Sequence, residues 1–386
     1  MLRTGKSIKV FFIFAICLVW LLSCIRCQVG ESIDGYVQSN TFINLGEFQK
    51  HYTGSLEKQR DFSQRFEVSK TDVITQKAQL FADHYPASNE RRIDLFRSRI
   101  ENIGGAYVGV GTDQNLTFIA WARSPVAYLM DFDSVIVYVN RLHFLFLAES
   151  PTYEDFKKMW SRANRISTAK LISDRLSKNS DFAKYQEAYA VAMQLGGGVP
   201  DRFNELDWMT KHYGFRSFHN DPADYNFIRQ MVLDGRIQAV VGDMNGEVTF
   251  REISKSVQSL RVPIRLVYLS NAEEYFRYPQ AFRDTIKSLY TDDKSMIIRT
   301  VTAGAKEFGY PDGEKFVETH PFHYNLQNIQ KMMVWMKDAP QPLWVYHMLK
   351  KRTDVERGFS VLNQDPYESG FLPPKKELQP VDESKK

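Results

Sequence analysis

Residues 106–133 read AYVGVGTDQNLTFIAWARSPVAYLMDFD, and the order of residue types within them decides the fold. Ala106 to Val110 is a short apolar run without alternation, which predicts a strand buried on both faces of a parallel sheet. Gly109 and Gly111 bracket a turn. Leu116, Ile119, Ala120 and Arg123 then recur at helical spacing, Pro125 stops the helix, and Val126 to Met130 resumes an apolar run that ends at Asp131. Asp131 lies twenty positions after Gly111, about where an open α/β nucleotide fold puts the carboxylate that accepts from ribose hydroxyls. Two readings of the turn follow. In one, glycines let the backbone approach a ligand at a helix N-terminus and the acid fixes its sugar. In the other, the glycines only tighten a crossover between parallel strands.

Upstream of this unit the chain begins MLRTGKSIK, with Arg3, Lys6 and Lys9, and continues as an apolar run from Val10 to Leu22. Thirteen apolar residues are too few to span a bilayer comfortably and have the form of a signal-peptide core. Leu21-Leu22-Ser23-Cys24 follows directly and resembles the bacterial lipobox, so residues 1–23 are expected to be cleaved and Cys24 acylated. That places the protein in the bacterial cell envelope, at an inner or outer membrane, with membrane contact through the lipid. Loss of the leader lowers the formal charge from +4 to +1. A near-neutral chain gives no electrostatic reason to expect nucleic acid. With Cys17 in the leader, only Cys24 and Cys27 remain, so no disulfide framework is available. The fold must rest on a large core, for which 43% hydrophobic residues, 27 phenylalanines and 19 tyrosines suffice.

Residues 24–70 are polar and read as a tether that acquires helix toward the body. A helix is predicted from Thr71-Asp72 through Ile74, Ala78, Leu80 and Phe81, and a second after Ser88-Asn89 with Ile93, Leu95, Phe96 and Ile100 on one face. Arg91, Arg92, Arg97 and Arg99 of that second helix read as a solvated face rather than an anion site. Downstream, Ser134 to Ala148 predicts a deeply buried helix, with His143 a core residue in it. A helical insertion is expected over 152–235, broken at Gly196-Gly197-Gly198-Val199-Pro200, where no Gly-Lys-Ser/Thr follows to make a phosphate loop. Apolar runs ending at Asp243, at Ser270 and at Thr300 give three further strands alternating with helices, which predicts a parallel α/β body over 71–365. Phe322 to Leu326 reads as an edge strand, Ile329 to Met336 as a last helix, and 366–386 as a disordered tail.

The succession Gly109-Val-Gly-Thr-Asp-Gln-Asn, Asp131-Phe-Asp, Gly242-Asp243-Met and Leu269-Ser-Asn-Ala-Glu-Glu-Tyr resembles the cofactor site of class I S-adenosylmethionine-dependent methyltransferases. It is also similar to a bacterial family of methyltransferase-like proteins, some of them lipoproteins, marked by YVGVG-x-DQN and LSNAEEY. The resemblance covers Tyr107 to Asn325 and implies a Rossmann-like, open, mostly parallel sheet of strand order 3-2-1-4-5. It implies that S-adenosylmethionine, if bound, lies with its methionine part over Gly109, Gly111, Asp113 and Asn115, its ribose on Asp131 or Asp133 and its adenine at Asp243. Ser270, Asn271 and Tyr275 would line the reacting edge. The chain departs from the class in having Gln114 at the third glycine position, no acid in the first strand and no Asn-Pro-Pro-Tyr motif after the fourth. Export also separates the chain from a cofactor made in the cytoplasm.

No Gly-x-Ser-x-Gly elbow and no His-Glu-x-x-His helix occurs. His320 and His323 are three apart, but Pro321 opposes a shared helical face. Glu273 and Glu274 are the candidate general bases, with a dipole-stabilised pair at a helix start as their other reading. Three functions remain: a lipoprotein with a possible small-ligand pocket and no established reaction, an active methyltransferase on a small molecule or lipid, and a surface protein that binds a protein partner through the insertion between Thr152 and Leu195.

Overall fold

Apolar side chains on both faces of short strands demand cover on both faces, and helices supply it. The computed structural model describes residues 41–74, 84–302, 305–314 and 321–375. The unit Met1–Tyr36, with the expected leader and lipidation site Cys24, lies outside these residues, as do residues 75–83 of the helix expected from Thr71, His320, and the end of the tail.

Two helices, α1 (Leu45–Tyr52) and α2 (Leu56–Phe66), precede α3 (Asp94–Ile100) and the unit β1 (Ala106–Val110), α4 (Gln114–Ala122), β2 (Ala127–Asp131). The crossover to the next strand runs through α5 (Ser134–Glu149), α6 (Tyr153–Met159), α7 (Arg165–Leu176), α8 (Phe182–Ala192), α9 (Val199–Tyr213) and α10 (Pro222–Leu233). There follow β3 (Ile237–Val241), α11 (Thr249–Ser259), β4 (Ile264–Tyr268), α12 (Gln280–Lys287) and β5 (Thr291–Val301). The chain closes with α13 (Ala305–Phe308), β6 (His323–Asn328), α14 (Ile329–Asp338), α15 (Val345–Leu349), β7 (Thr353–Glu356) and β8 (Phe359–Leu362).

The strands form one sheet in the order β3-β2-β1-β4-β5-β6-β8-β7. The first five are parallel in the expected order 3-2-1-4-5, and β6 is antiparallel to β5. β8 runs parallel to β6, and β7 caps the sheet antiparallel to β8. The strand expected at an edge therefore lies inside the sheet, between β5 and β8. Its apolar positions are interrupted by His323, Asn325 and Gln327, all buried, and that polar content masked an interior strand.

Tyr107, Leu129, Leu266 and Tyr268 on one face pack with α4, α5 and the insertion. Val108, Tyr128, Met130 and Val267 on the other pack with α1, α2, α11, α12 and α14. The expected tether is thus folded in part. Asn44 and Ser55 cap α1 and α2, and their aromatics are buried, with Phe66 4.7 Å from the ring of Tyr128. Residues 71–74 are not helical; Asp72 instead accepts from the amides of Asp243, Val248 and Thr249. The first residues expected in a tail also pack, Glu368 on Lys331 at 2.6 Å and the ring of Phe371 on Trp335 at 4.8 Å. Among the described residues no helix is long and apolar enough to cross a membrane.

Candidate functional site at the carboxyl ends of the strands

The strand order reverses direction between β1 and β4, so the crevice outside the carboxyl ends of these strands is where an open α/β sheet takes a ligand. The two glycines of the β1 turn play different parts there. At Gly109 a side chain would overlap Asn115 Oδ1 and lie 2.6 Å from the Tyr107 hydroxyl. Asn115 accepts from Tyr107 at 2.7 Å and donates to the carbonyls of Val110 and Thr112, both at 2.9 Å. Its side chain closes the turn from inside, and so occupies the approach expected for a ligand. Gly111 is the opposite case: its φ is +82° and no atom of the described residues lies within 4 Å of where a Cβ would sit.

The Gly111 amide donates to Asp131 Oδ2 at 3.2 Å, and Asp131 Oδ1 accepts from the Asp133 amide at 2.9 Å. Burial pushes the Asp131 carboxyl up to about 7, partly opposed by the Asp133 amide and reinforced by the adjacent Asp133 charge. Asp133 caps α5 through the Val135 amide and meets His84 Nδ1 at 2.5 Å. Asp243, at the end of β3, accepts from the Asn245 amide at 2.8 Å. Asp131, Asp133 and Asp243 therefore gather at the carboxyl ends of β2 and β3, with Asp72 on the loop after β3.

On the β1, β4 and β5 side the crevice is filled by a residue absent from the expected site. Glu90 is 1% exposed. Its Oε1 accepts from Thr300 at 2.8 Å, Tyr268 at 2.9 Å and Ser270 at 3.0 Å, and its Oε2 accepts from Gln114 Nε2. Burial raises its carboxyl above the ordinary range, and these donors only partly restore the charged form. Arg202, equally buried on α9, reaches Asp113 at 3.1 Å, Gln114 Oε1 at 2.9 Å and the Glu90 carbonyl at 2.9 Å. Asp113 also accepts from the Ser88 amide at 2.9 Å. Asp113 and Asn115, expected against a cofactor, are thus bound by the protein itself.

Glu90 reaches this place because its chain segment crosses the strand ends in order. Asp72 sits on the β3–α11 loop, His84 on Asp133 after β2, Ser88 on the β1 turn, Glu90 over β4 and β5, and the amides of Arg91 and Arg92 on the Tyr324 hydroxyl of β6. The predicted helix over this stretch begins only at Asp94. Of the arginine run, Arg91 pairs with Glu205 at 2.8 Å and lies over Trp208, while Arg99 is exposed.

Glu273 and Glu274, the candidate bases, are both held by partners within the protein. Glu273 is 1% exposed, in an ion pair with Arg299 at 2.5 Å and a hydrogen bond from Tyr278 at 2.6 Å. Glu274 accepts from the amide and hydroxyl of Thr302, from Tyr346 and from Asn271. Both carboxylates fasten the turn after β4 to β5 and α15. Ser270, in that turn, holds a left-handed φ of 49°, while Asn271 beside it is half-buried and donates to Glu274 and Tyr275, and Tyr275 is exposed. His143 is fully buried among Phe156, Trp160 and Phe203, with neither ring nitrogen hydrogen-bonded, and burial pushes it down to about 4. His323 bonds Gly309 and Ser360 at 3.0 and 2.7 Å.

The family described as "Domain of unknown function (DUF7790)" matches residues 85–363, which take in every strand, the Gly111 turn and Glu90. No curated protein matches the chain.

Proposed function

We propose that this chain, which belongs to the DUF7790 family, binds a small ligand through a ribose diol at the carboxyl ends of β1 and β2, on a methyltransferase-like body held to a membrane by a lipid on Cys24. The single observation that carries the ligand reading is the pairing of Gly111 with Asp131: open space above a glycine among the described residues, next to a carboxylate that accepts the Gly111, Phe132 and Asp133 amides and has lone-pair capacity beyond them. Two adjacent hydroxyls are the donors that such a carboxylate takes. The five-strand order and the place of the turn support the methyltransferase likeness, and S-adenosylmethionine is the first nucleoside ligand that likeness suggests. The engagement of Glu273 and Glu274 elsewhere favours binding without catalysis over an active methyltransferase. Titration calorimetry with S-adenosylmethionine, S-adenosylhomocysteine and adenosine, repeated on Asp131→Ala, tests the reading. Binding that is lost in the variant is expected; binding that survives it moves the ligand away from Asp131.

The anchor is tested separately: Cys24→Ser is expected to abolish palmitate incorporation and release the protein from membranes, and a mature chain beginning at Met1 would refute it. A partner-binding role for the insertion is favoured only by Ile166 and Leu195, which are 88% and 82% exposed there. Changing both to Ser would abolish such binding and leave ligand affinity alone.

A further inference from the structure

We infer that Glu90 and Asn115 determine specificity at this site: they fill the half of the crevice over β1 and β4, so the ligand is a neutral nucleoside without an extended 5′ arm. The inference rests on the ribose reading above and narrows it. A nucleoside whose diol lies on Asp131 has two directions for its 5′ substituent, toward the switch between β1 and β4 or outward along the acidic rim.

The first direction is closed. Asn115 occupies the space over Gly109, and Glu90 is held at the switch by Thr300, Tyr268, Ser270 and Gln114. Arg202 locks Gln114 and the Glu90 backbone from behind. None of these groups is on a loose side chain: Glu90, Gln114, Asn115 and Arg202 are each at most 2% exposed. Displacing them would leave a buried guanidinium or carboxylate unpaired, which is far costlier than any contact an aminoalkyl arm returns.

The second direction selects against charge. Asp131, Asp133 and Asp243 face it, and the Gly111 amide that would otherwise meet a phosphate already donates to Asp131. Among the described residues the ring of His84 is bound to Asp133, and the Arg202 guanidinium is spent on Asp113. A 5′-phosphate would stand beside these carboxylates, whose charge repels it. A free 5′-hydroxyl suits both directions. Such a ligand also needs no cytoplasmic cofactor at the far side of a membrane.

The test is calorimetry on the wild-type chain with adenosine, 2′-deoxyadenosine, adenosine 5′-monophosphate and S-adenosylhomocysteine. Adenosine is expected to bind at least tenfold more tightly than each of the other three. S-adenosylhomocysteine binding as tightly as adenosine would overturn the inference and leave the ribose reading standing. No binding of either at millimolar concentration would overturn the ribose reading itself, and equal affinity for 2′-deoxyadenosine would remove the diol. Asn115→Ala, which opens the space over Gly109 without stranding a charge, is expected to narrow the gap between adenosine and S-adenosylhomocysteine. An unchanged gap in a variant with the wild-type melting temperature would exclude Asn115 as a determinant.

Discussion

Single carboxylates and histidines carry opposite pH dependences in this protein. Asp131 accepts diol hydroxyls as an anion, and its carboxyl is raised to about 7, so ligand affinity is expected to rise with pH across neutrality. Calorimetry at pH 6 and pH 8 checks this; affinity that is flat over that range would take Asp131 out of the contact. His143, His219 and His323 are each pushed down to about 4, burial being the first cause in every case. Between about 6.5 and 4 the unfolded chain binds protons at these positions and the folded chain does not, so stability falls as pH falls through that window. A depression of this size is worth up to about 3 kcal/mol per group. The raised carboxyls of Asp131 and Glu90 act in the other direction and blunt the loss. His143→Leu is expected to shrink the difference in urea midpoint between pH 7.5 and pH 5, because this ring has no hydrogen bond to lose. Nothing in the sequence around Glu90 marked its role: it stands in Asn-Glu-Arg-Arg, a run that composition assigns to solvent, and its partners are up to 210 positions away.

Elements with one kind of signal were legible from sequence, and elements with two competing signals were not. The β1–α4–β2 unit was read almost to the residue because an apolar run, a glycine turn and a helical period agree over its length. In α9 the Gly-Gly-Gly-Val-Pro stretch reads as a break, yet Pro200 stands in the first turn, where proline is a start signal, and the helix runs on to Tyr213. Arg202, buried on α9, carries no signal in the sequence for the same reason. Arg202→Ala leaves the buried Asp113 carboxylate without its partner and is expected to destabilise the protein by about 3–5 kcal/mol, measured as a fall in the urea midpoint. The two glycines of the β1 turn separate packing from approach in the same element. Gly109→Ala forces a side chain onto Asn115 and Tyr107 and should lose about 1–3 kcal/mol of stability. Gly111→Ala meets no atom and costs about 1 kcal/mol for its positive φ, but it should weaken ligand binding by more than that. Equal stability losses in the two variants would contradict the asymmetry.

At the scale of the molecule, the sheet face that carries Val108, Tyr128 and Met130 is covered in part by a helical pair that precedes the family match. Removing residues 41–66 would strip α1 and α2 from Tyr128, Val257 and Leu260 and expose an aromatic-rich face. With about 1.5–3 kcal/mol at stake for each large buried side chain, the shortened chain is expected to lose its cooperative melt. A cooperative melt within a few degrees of the full chain's would show the pair to be dispensable. The sheet order and its parallel core were legible because alternation of strands and helices constrains topology strongly. The polar half of the crevice was not, because it is assembled by a segment whose partners lie on β4, β5 and β6 and in the loops that follow β1, β2 and β3. That segment also sets an order of events. Glu90 and the amides of Arg91 and Arg92 leave the ribosome before any strand exists, yet their partners Thr300 and Tyr324 are 210 and up to 233 residues behind them. This part of the body is made ahead of the sheet and can be seated only after it, and until the sheet has grown as far as β6 the chain carries its own closing bolt undrawn.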